Sequence, residues 1–143
     1  MSKQTTIGQI VAAEDAIISI RAGKVGGAAA TKIGRVTKFM LSEIADHKSV
    51  QKSFIEKISP PDADGNISLK KGDKGFDECL KFISDSKKVV IENNFEPIST
   101  NDIVEIKTLS ADNIESLIEI GILFDPDDIM KIETPQIVKN IDV

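Results

Sequence analysis

Side chains that commonly perform acid–base or nucleophilic chemistry are scarce in this chain. Its 143 residues include one histidine, His47, and one cysteine, Cys79, but no tyrosine and no tryptophan. General acid–base and nucleophilic catalysis draw on these residue types or on converging carboxylates, and no cluster of them is apparent along the sequence. The composition therefore predicts a non-enzymatic protein with no catalytic residue, no cofactor and no metal.

Each of these two singular residues has a simple structural interpretation. His47 falls between Ile44 and Gln51 on the apolar face of a predicted helix, where a packed or hydrogen-bonded core histidine is the usual outcome. Cys79 lies near Phe76 in a short apolar stripe, which is typical of a small core residue. We expect neither side chain to act as a ligand or a nucleophile.

Two further motifs have the outline of ligand-binding loops but lack the defining residues. Asp62–Asn66 resembles the start of a calcium-binding loop, but Ile67 and Asp73 replace the glycine and the bidentate glutamate that such a loop requires. Gly23–Gly27 is rich in glycine but lacks the Gly-Lys-Ser/Thr ending of a phosphate-binding loop. We interpret the first as a hairpin turn and the second as a turn between helices.

Charge is distributed unevenly along the chain. Residues 1–91 carry 15 Lys and Arg against 11 Asp and Glu, whereas residues 92–143 carry 3 against 12. Opposite halves of this kind can pair within one molecule or head to tail between copies. The basic residues of the predicted long helix are Lys32, Arg35, Lys38, Lys48, Lys52 and Lys57. Because no aromatic side chains interleave with them for base stacking, they predict a solvated helix face, and direct nucleic-acid binding is not expected.

Helical periodicity starts at a capping box formed by Thr6–Gln9. Apolar residues at three-to-four spacing extend the first helix to about Arg21, and Gly23–Gly27 ends it. A second apolar period runs from Ala29 to Ile58 and stops at Pro60-Pro61, which predicts one helix of about 30 residues. The two segments are expected to form an antiparallel helical hairpin.

Shorter elements follow the predicted hairpin. They are a turn at Asp64-Gly65-Asn66, an exposed strand at Ile67–Lys70, a helix over Lys74–Ser86 capped by Asp73, a strand at Val89–Glu92, an edge segment at Phe95–Ser99 containing Pro97, and a helix over Ala111–Ile120 capped by Ser110 and followed by Gly121. The fold class is therefore α+β and helix-dominated, with an N-terminal antiparallel helical hairpin, a small short-stranded sheet and a further C-terminal helix.

Residues 1–124 are expected to form one domain, and residues 125–143 an extended C-terminal tail. The tail contains two prolines and shows no clear helical or strand period, and its Asp125, Asp127 and Asp128 are typical of a solvated loop. It also holds more apolar side chains than a solvated linker needs, which predicts that they contact a partner. These side chains are Ile129, Met130, Ile132, Ile137, Val138 and Ile141.

Targeting features are not apparent in the sequence. There is no charged-then-apolar leader and no apolar run near the ~18 residues that cross a bilayer. Cys79 has no second cysteine with which to form an internal disulfide, which suits a reducing compartment. We expect a cytoplasmic protein that does not associate with membranes.

Several short segments occur in a recognisable order. They are Thr6–Ala13, a return helix, the turn Asp64-Gly65-Asn66, a helix leading into Val89–Glu92, Asp102-Ile103 and Leu109–Leu117. In this order, over about residues 6–124, they resemble a domain-of-unknown-function family from the genomes of tailed bacteriophages. That family has no established activity, so the resemblance implies no catalytic or binding residue.

The resemblance, the hairpin and the apolar tail together favour a small phage protein that acts through protein–protein contacts. We expect a virion assembly factor or a minor virion component, found in the host cytoplasm or the virion. Its expected partners are other phage proteins or further copies of itself. The alternative is a phage-encoded inhibitor of a host defence or nucleic-acid enzyme that acts through the acidic C-terminal half.

Overall fold

The computed structural model describes residues 3–127 of the chain. Its elements, in order, are β1 (Lys3–Thr6), α1 (Ile7–Ala12), α2 (Glu14–Ala22), α3 (Gly27–Ile58), α4 (Phe76–Lys87), β2 (Val90–Asn93), β3 (Ile98–Ser99), a 3-10 helix (Thr100–Ile103), α5 (Ala111–Glu119) and β4 (Leu123–Phe124). Helices dominate, and the strands form two short pairs. The predicted helix-dominated α+β class is confirmed.

The N-terminal helix begins as predicted but is broken into two. Thr6 accepts a hydrogen bond from the Gln9 backbone, and the Gln9 side chain reaches back to the Thr6 N–H, which confirms the capping box. The single helix predicted to run to Arg21 is wrong, because Ala13 separates α1 from α2. The Ala13 N–H is shared between the carbonyls of Gln9 and Ile10, a tightened last turn that neither glycine nor proline announces.

The helical hairpin is formed by α2 and α3. At 32 residues, α3 spans about 48 Å, and it ends at Ile58 immediately before Ser59 and the Pro60-Pro61 pair, as predicted. The Arg21 guanidinium donates to the Thr37 hydroxyl over 2.8 Å, and Lys48 pairs with Glu14 over 2.9 Å. Early residues of one helix therefore lie beside late residues of the other, which confirms the antiparallel arrangement.

The core lies where this hairpin meets α1, α5 and the second strand pair. Its fully buried side chains are almost all aliphatic. They include Ile10, Ile17, Ile20, Ile33, Val36, Met40, Ile44, Ile98, Leu117, Ile120, Ile122 and Leu123. Aliphatic packing therefore supplies most of the buried volume, in keeping with a chain whose six aromatic residues are all phenylalanine.

The segment between α3 and α4 confirms one prediction and contradicts two. Asp62 Oδ1 accepts the N–H groups of Asp64 and Asn66, so the predicted turn forms. The strand expected at Ile67–Lys70 is wrong, since no described strand pairs with it. Asp73 does not cap α4 either, because its carboxylate accepts the Lys70 N–H and the N-cap position is taken by Gly75.

The strands form one antiparallel and one parallel pair. β1 pairs antiparallel with β2 in a register that sets Thr6 opposite Val90, and β3 pairs parallel with β4. The predicted strand at Val89–Glu92 is confirmed as β2, shifted by one residue, whereas β1 was not predicted. Pro97 lies just outside β3, which fits its inability to donate to a ladder.

The last helix follows its sequence prediction closely. The Ser110 hydroxyl accepts the Asn113 N–H over 3.1 Å, and Gly121 follows α5 with a positive φ of 83°. Asn93, at the end of β2, is 1% exposed and donates to the Gly121 carbonyl while accepting the Phe95 N–H. This buried amide fixes the antiparallel strand pair to the end of α5.

Candidate interaction surface

The second half of α3 leaves the core and carries a partly exposed apolar face. The last fully buried residue of this helix is Ile44, although apolar residues continue to Ile58. Beyond that point, the main described contact is with α4, where the ring of Phe54 stacks on Phe82 with centroids 4.0 Å apart. Among the described residues, this end of α3 is therefore covered mainly by α4.

A groove opens between this part of α3 and strand β2, and we term it the β2–α3 groove. Its volume is about 220 Å³. It is lined by Ile7, Glu43, Asp46, His47, Val50, Ser86, Val89 and Ile91. Two of its apolar side chains, Val50 and Val89, are 57% and 54% exposed. Exposed aliphatic side chains grouped around a cleft are typical of a contact surface.

His47 forms one wall of the β2–α3 groove. The sequence predicts a packed core histidine, but the structure leaves its side chain half-buried at the groove. Its Nε2 is itself buried and has no hydrogen-bond partner within residues 3–127. A buried polar atom without a partner costs about 1–3 kcal/mol, and here that cost falls on the wall of the groove.

A second, larger groove, the α1–α5 groove, lies between the start of α1, the end of α4 and α5. It has a volume of about 520 Å³, and Lys87, Lys88 and Glu119 are its charged lining residues. The Glu119 carboxylate already accepts a hydrogen bond from Gln9 over 3.0 Å, and Gln9 belongs to the capping box. Gln9 and Glu119 therefore bond to each other across the groove, which links α1 to α5.

The glycine-rich turn before α3 is not suited to an anion. The first turn of α3 faces Asp102 and Glu105 across a shallow groove, which places negative charge where a phosphate would bind. Gly23 is required instead for close packing, since a Cβ there would lie 2.6 Å from the Ile106 side chain. The predicted role of Gly23–Gly27 as an interhelical turn is confirmed.

The remaining candidate residues occupy structural positions. Cys79 is buried, as predicted for a small core residue, and the six basic residues of α3 are all exposed. Within the described residues, no three His, Cys, Asp or Glu side chains are grouped to hold a metal ion. The six apolar residues predicted to contact a partner, Ile129 to Ile141, lie outside the described residues, as does Asp128.

The β2–α3 groove is the feature that sequence reasoning missed. The predicted apolar face of α3 runs through Ile44, His47 and Phe54, and Val50 lies off that face. The sequence signal that could have indicated the groove is Val50 itself, an aliphatic residue that does not lie on the predicted buried face. Its neighbour Val89 comes from an element 39 residues further along the chain, so only the tertiary structure unites them.

Comparisons with known proteins identify no relative of this chain. No family model matches the sequence, and no curated protein and no solved structure is significantly similar to it. Among the helices of residues 3–127, none combines the length and the apolar character needed to cross a bilayer.

Proposed function

We propose that this chain is a small non-enzymatic phage protein that acts through protein–protein contacts, as a virion assembly factor or a minor virion component. The observation that carries the proposal is the β2–α3 groove. It presents Val50 and Val89, each more than half exposed, beside the half-buried ring of His47, and such a surface suits the apolar side chains of a protein segment.

Two further features support this proposal. The order of short motifs over about residues 6–124 resembles a tailed-phage family, which suggests the setting. The basic N-terminal and acidic C-terminal portions of the sequence can orient the chain on a partner, since complementary fields favour specific encounter geometries. The expected location is the host cytoplasm during assembly, or the finished particle.

The direct test is to look for the chain in purified virions and in complexes with the products of neighbouring genes. We expect Val50→Asp and Val89→Asp to weaken capture of the partner at least tenfold, because each places a carboxylate in an apolar contact. Val104→Asp is the matched control, since Val104 is 73% exposed and lies outside the groove. Equal capture by all three variants would argue against the groove as the contact site.

The acidic half of the chain favours a second candidate, a phage-encoded inhibitor of a host defence or nucleic-acid enzyme. The acidic side chains of residues 92–119 are all exposed: Glu92, Glu96, Asp102, Glu105, Asp112, Glu115 and Glu119. Such a surface can occupy a site built for a polyanion. Early expression, absence from virions, and loss of inhibition when Asp112 and Glu115 are changed to Lys would favour this candidate over assembly.

A further inference from the structure

Strand β2 has an outer edge whose polar groups point away from β1. Continuing the β1–β2 register by one residue sets Ile7 opposite Val89, and the Ile7 N–H donates to the Val89 carbonyl over 2.8 Å. Opposed residues in an antiparallel ladder alternate between pairs that are bonded to each other and pairs whose backbone groups point outward. Ile7 and Val89 form a bonded pair. Val90 and Glu92, one and three residues further along the chain, therefore belong to pairs of the other kind, and their backbone N–H and C=O groups face outward, away from β1.

This edge is open over the part of the chain that the structure describes. Outside the β1–β2 ladder, the backbones of Val90 and Glu92 have no hydrogen-bond partner within residues 3–127. Both side chains are exposed, Val90 to 55%. An unpaired edge is a template for pairing with another strand, and proteins often blunt it with charged side chains. The outward residues of β2 are the apolar Val90 and the charged Glu92, so this edge can accept only a strand whose charges complement its own.

The charges at the two ends of the edge indicate which strand it accepts. Lys87 and Lys88 precede β2, Glu92 lies near its other end, and all three side chains are exposed. When two copies of this segment meet in antiparallel orientation, the basic end of each lies against the acidic end of the other. A parallel arrangement would set like charges side by side. The segment is thus complementary to itself under two-fold symmetry.

We propose that the protein forms a two-fold symmetric dimer in which β2 pairs antiparallel with β2 of a second copy. In the proposed register, Val90 lies opposite Glu92 of the second copy, which engages every outward N–H and C=O of these residues. Lys88 is the C-cap residue of α4 and has a helical backbone, so it flanks the paired strands at the end that faces Glu92 of the second copy, within reach of its long side chain. The product is a continuous antiparallel sheet with the strand order β1–β2–β2–β1.

The same arrangement brings the two β2–α3 grooves together. Val89 and Ile91 alternate with Val90 along the chain, so their side chains share the face of the sheet that lines the groove. A two-fold axis perpendicular to the sheet keeps that face on the same side in both copies. The exposed Val50 and Val89 of each copy then lie near the seam of the dimer. This explains why the apolar β2–α3 groove and the outer edge of β2 lie next to each other.

The inference rests on the proposed function as a contact protein and names the partner at this site, a second copy. It is tested by sedimentation of the purified full-length chain across the micromolar range. We expect a dimer that dissociates as salt is raised, because Lys88 and Glu92 are exposed and their attraction is screened. A chain that stays monomeric throughout this range overturns the inference.

A charge exchange tests the orientation. Lys88→Glu and Glu92→Lys should each weaken the dimer about tenfold, since each single change opposes like charges across the symmetric interface. The double variant, which carries both changes, should restore the dimer because the complementarity is re-created with reversed sign. Circular dichroism checks that all three variants keep the fold. A dimer that is insensitive to the single changes, or that the double variant does not restore, overturns the inference.

A backbone change tests the hydrogen bonds. Val90→Pro removes an outward N–H and leaves the ladder to β1 intact, so it should weaken the dimer at least tenfold. Val90→Thr is the matched control, because threonine keeps the N–H and the β-branched shape and should preserve the dimer. Equal affinity for the two variants overturns the inference.

Two other occupants are distinguished by the same samples. If the chain's own residues 128–143 cover the edge, the full-length chain is monomeric and its truncated form dimerises, which overturns the inference for the full chain. If the edge accepts a different phage protein, Val90→Pro abolishes that capture while the purified chain remains monomeric, so the inference fails and the proposed function stands. The opposite outcome is also distinguishable. If the chain dimerises and its variants behave as expected, but it is absent from virions and captures no phage protein, the inference stands and the proposed function fails.

Discussion

The two halves of α3 share one sequence period and have different surroundings. In the first half, Ile33, Val36, Met40 and Ile44 are all at most 3% exposed. In the second half, which begins at His47, no residue is fully buried although the apolar spacing continues. A periodic pattern therefore establishes which face of a helix is apolar, but it does not establish what covers that face.

The difference follows from what packs on each half. α2 and α1 lie along the first half and supply fully buried isoleucines. The start of α2 reaches only the beginning of the second half, where Glu14 pairs with Lys48, and further on α3 contacts α4 through the Phe54–Phe82 ring stack and its N-cap Gly75. Stability should therefore be concentrated in the first half and recognition in the second. Three predictions test this division and a fourth concerns the C-terminal tail, in order from the largest expected effect on stability to the smallest.

The largest effect is expected from a charge in the first half of α3. Met40→Asp or Ile44→Asp should destabilise the protein by about 4 kcal/mol or prevent folding, because a carboxylate is forced into an apolar seam that is at most 1% exposed. Val50→Asp is the matched control on the same helix and should change the free energy of unfolding by less than about 0.5 kcal/mol. Urea denaturation measures all three, and parent-like unfolding of Met40→Asp would contradict the division.

A smaller effect is expected from removing the ring stack in the second half. Phe54→Ala should cost about 2 kcal/mol, less than is typical for a fully buried phenylalanine, because Phe54 is half-buried against Phe82. Thermal unfolding and urea titration give the value. A cost near that of the charged first-half variants would show that the second half belongs to the main core.

The contact between the end of α3 and the start of α4 can be isolated with two glycines. Gly72 and Gly75 both have positive φ, but only at Gly75 would a Cβ collide with the Ile58 side chain. Gly72→Ala should cost about 1 kcal/mol from backbone strain alone, and Gly75→Ala about 1 kcal/mol more from the added contact. Identical costs by urea denaturation would mean that Ile58 moves aside freely.

The smallest effect on stability is expected from the C-terminal tail. Deleting residues 125–143 should leave the melting transition nearly unchanged while abolishing capture of a different phage protein, because the tail's apolar side chains are expected to be covered only in that complex. The proposed β2–β2 dimer does not use the tail and should persist in the truncated chain. A full-length control with Ile137, Val138 and Ile141 changed to Ser separates the loss of apolar contacts from the loss of chain length. A large drop in the melting temperature would place the tail in the core instead.

Local sequence signals predicted the parts of the fold that depend on neighbouring residues. The Thr6–Gln9 capping box, the Ser110 cap of α5 and the proline stop after α3 each operate within a few residues, and all were recognisable in advance. The break at Ala13 and the pairing of β1 with β2 had no such signal. The strand pairing depends on contacts between distant segments, and the local change in hydrogen bonding at Ala13 is announced by neither glycine nor proline, so neither was predicted.

The sequence by itself determined a helix-dominated α+β fold, the extent of α3 and the scarcity of catalytic side chains, because composition, periodicity and caps are local properties. The tertiary structure alone decided that Val50, His47 and Val89 share one groove and that no strand of residues 3–127 pairs with the outer edge of β2. The groove depends on how far α3 extends past the helices that cover it, and the edge on the two-stranded β1–β2 sheet. Both are properties of packing between distant segments, and no local pattern encodes them.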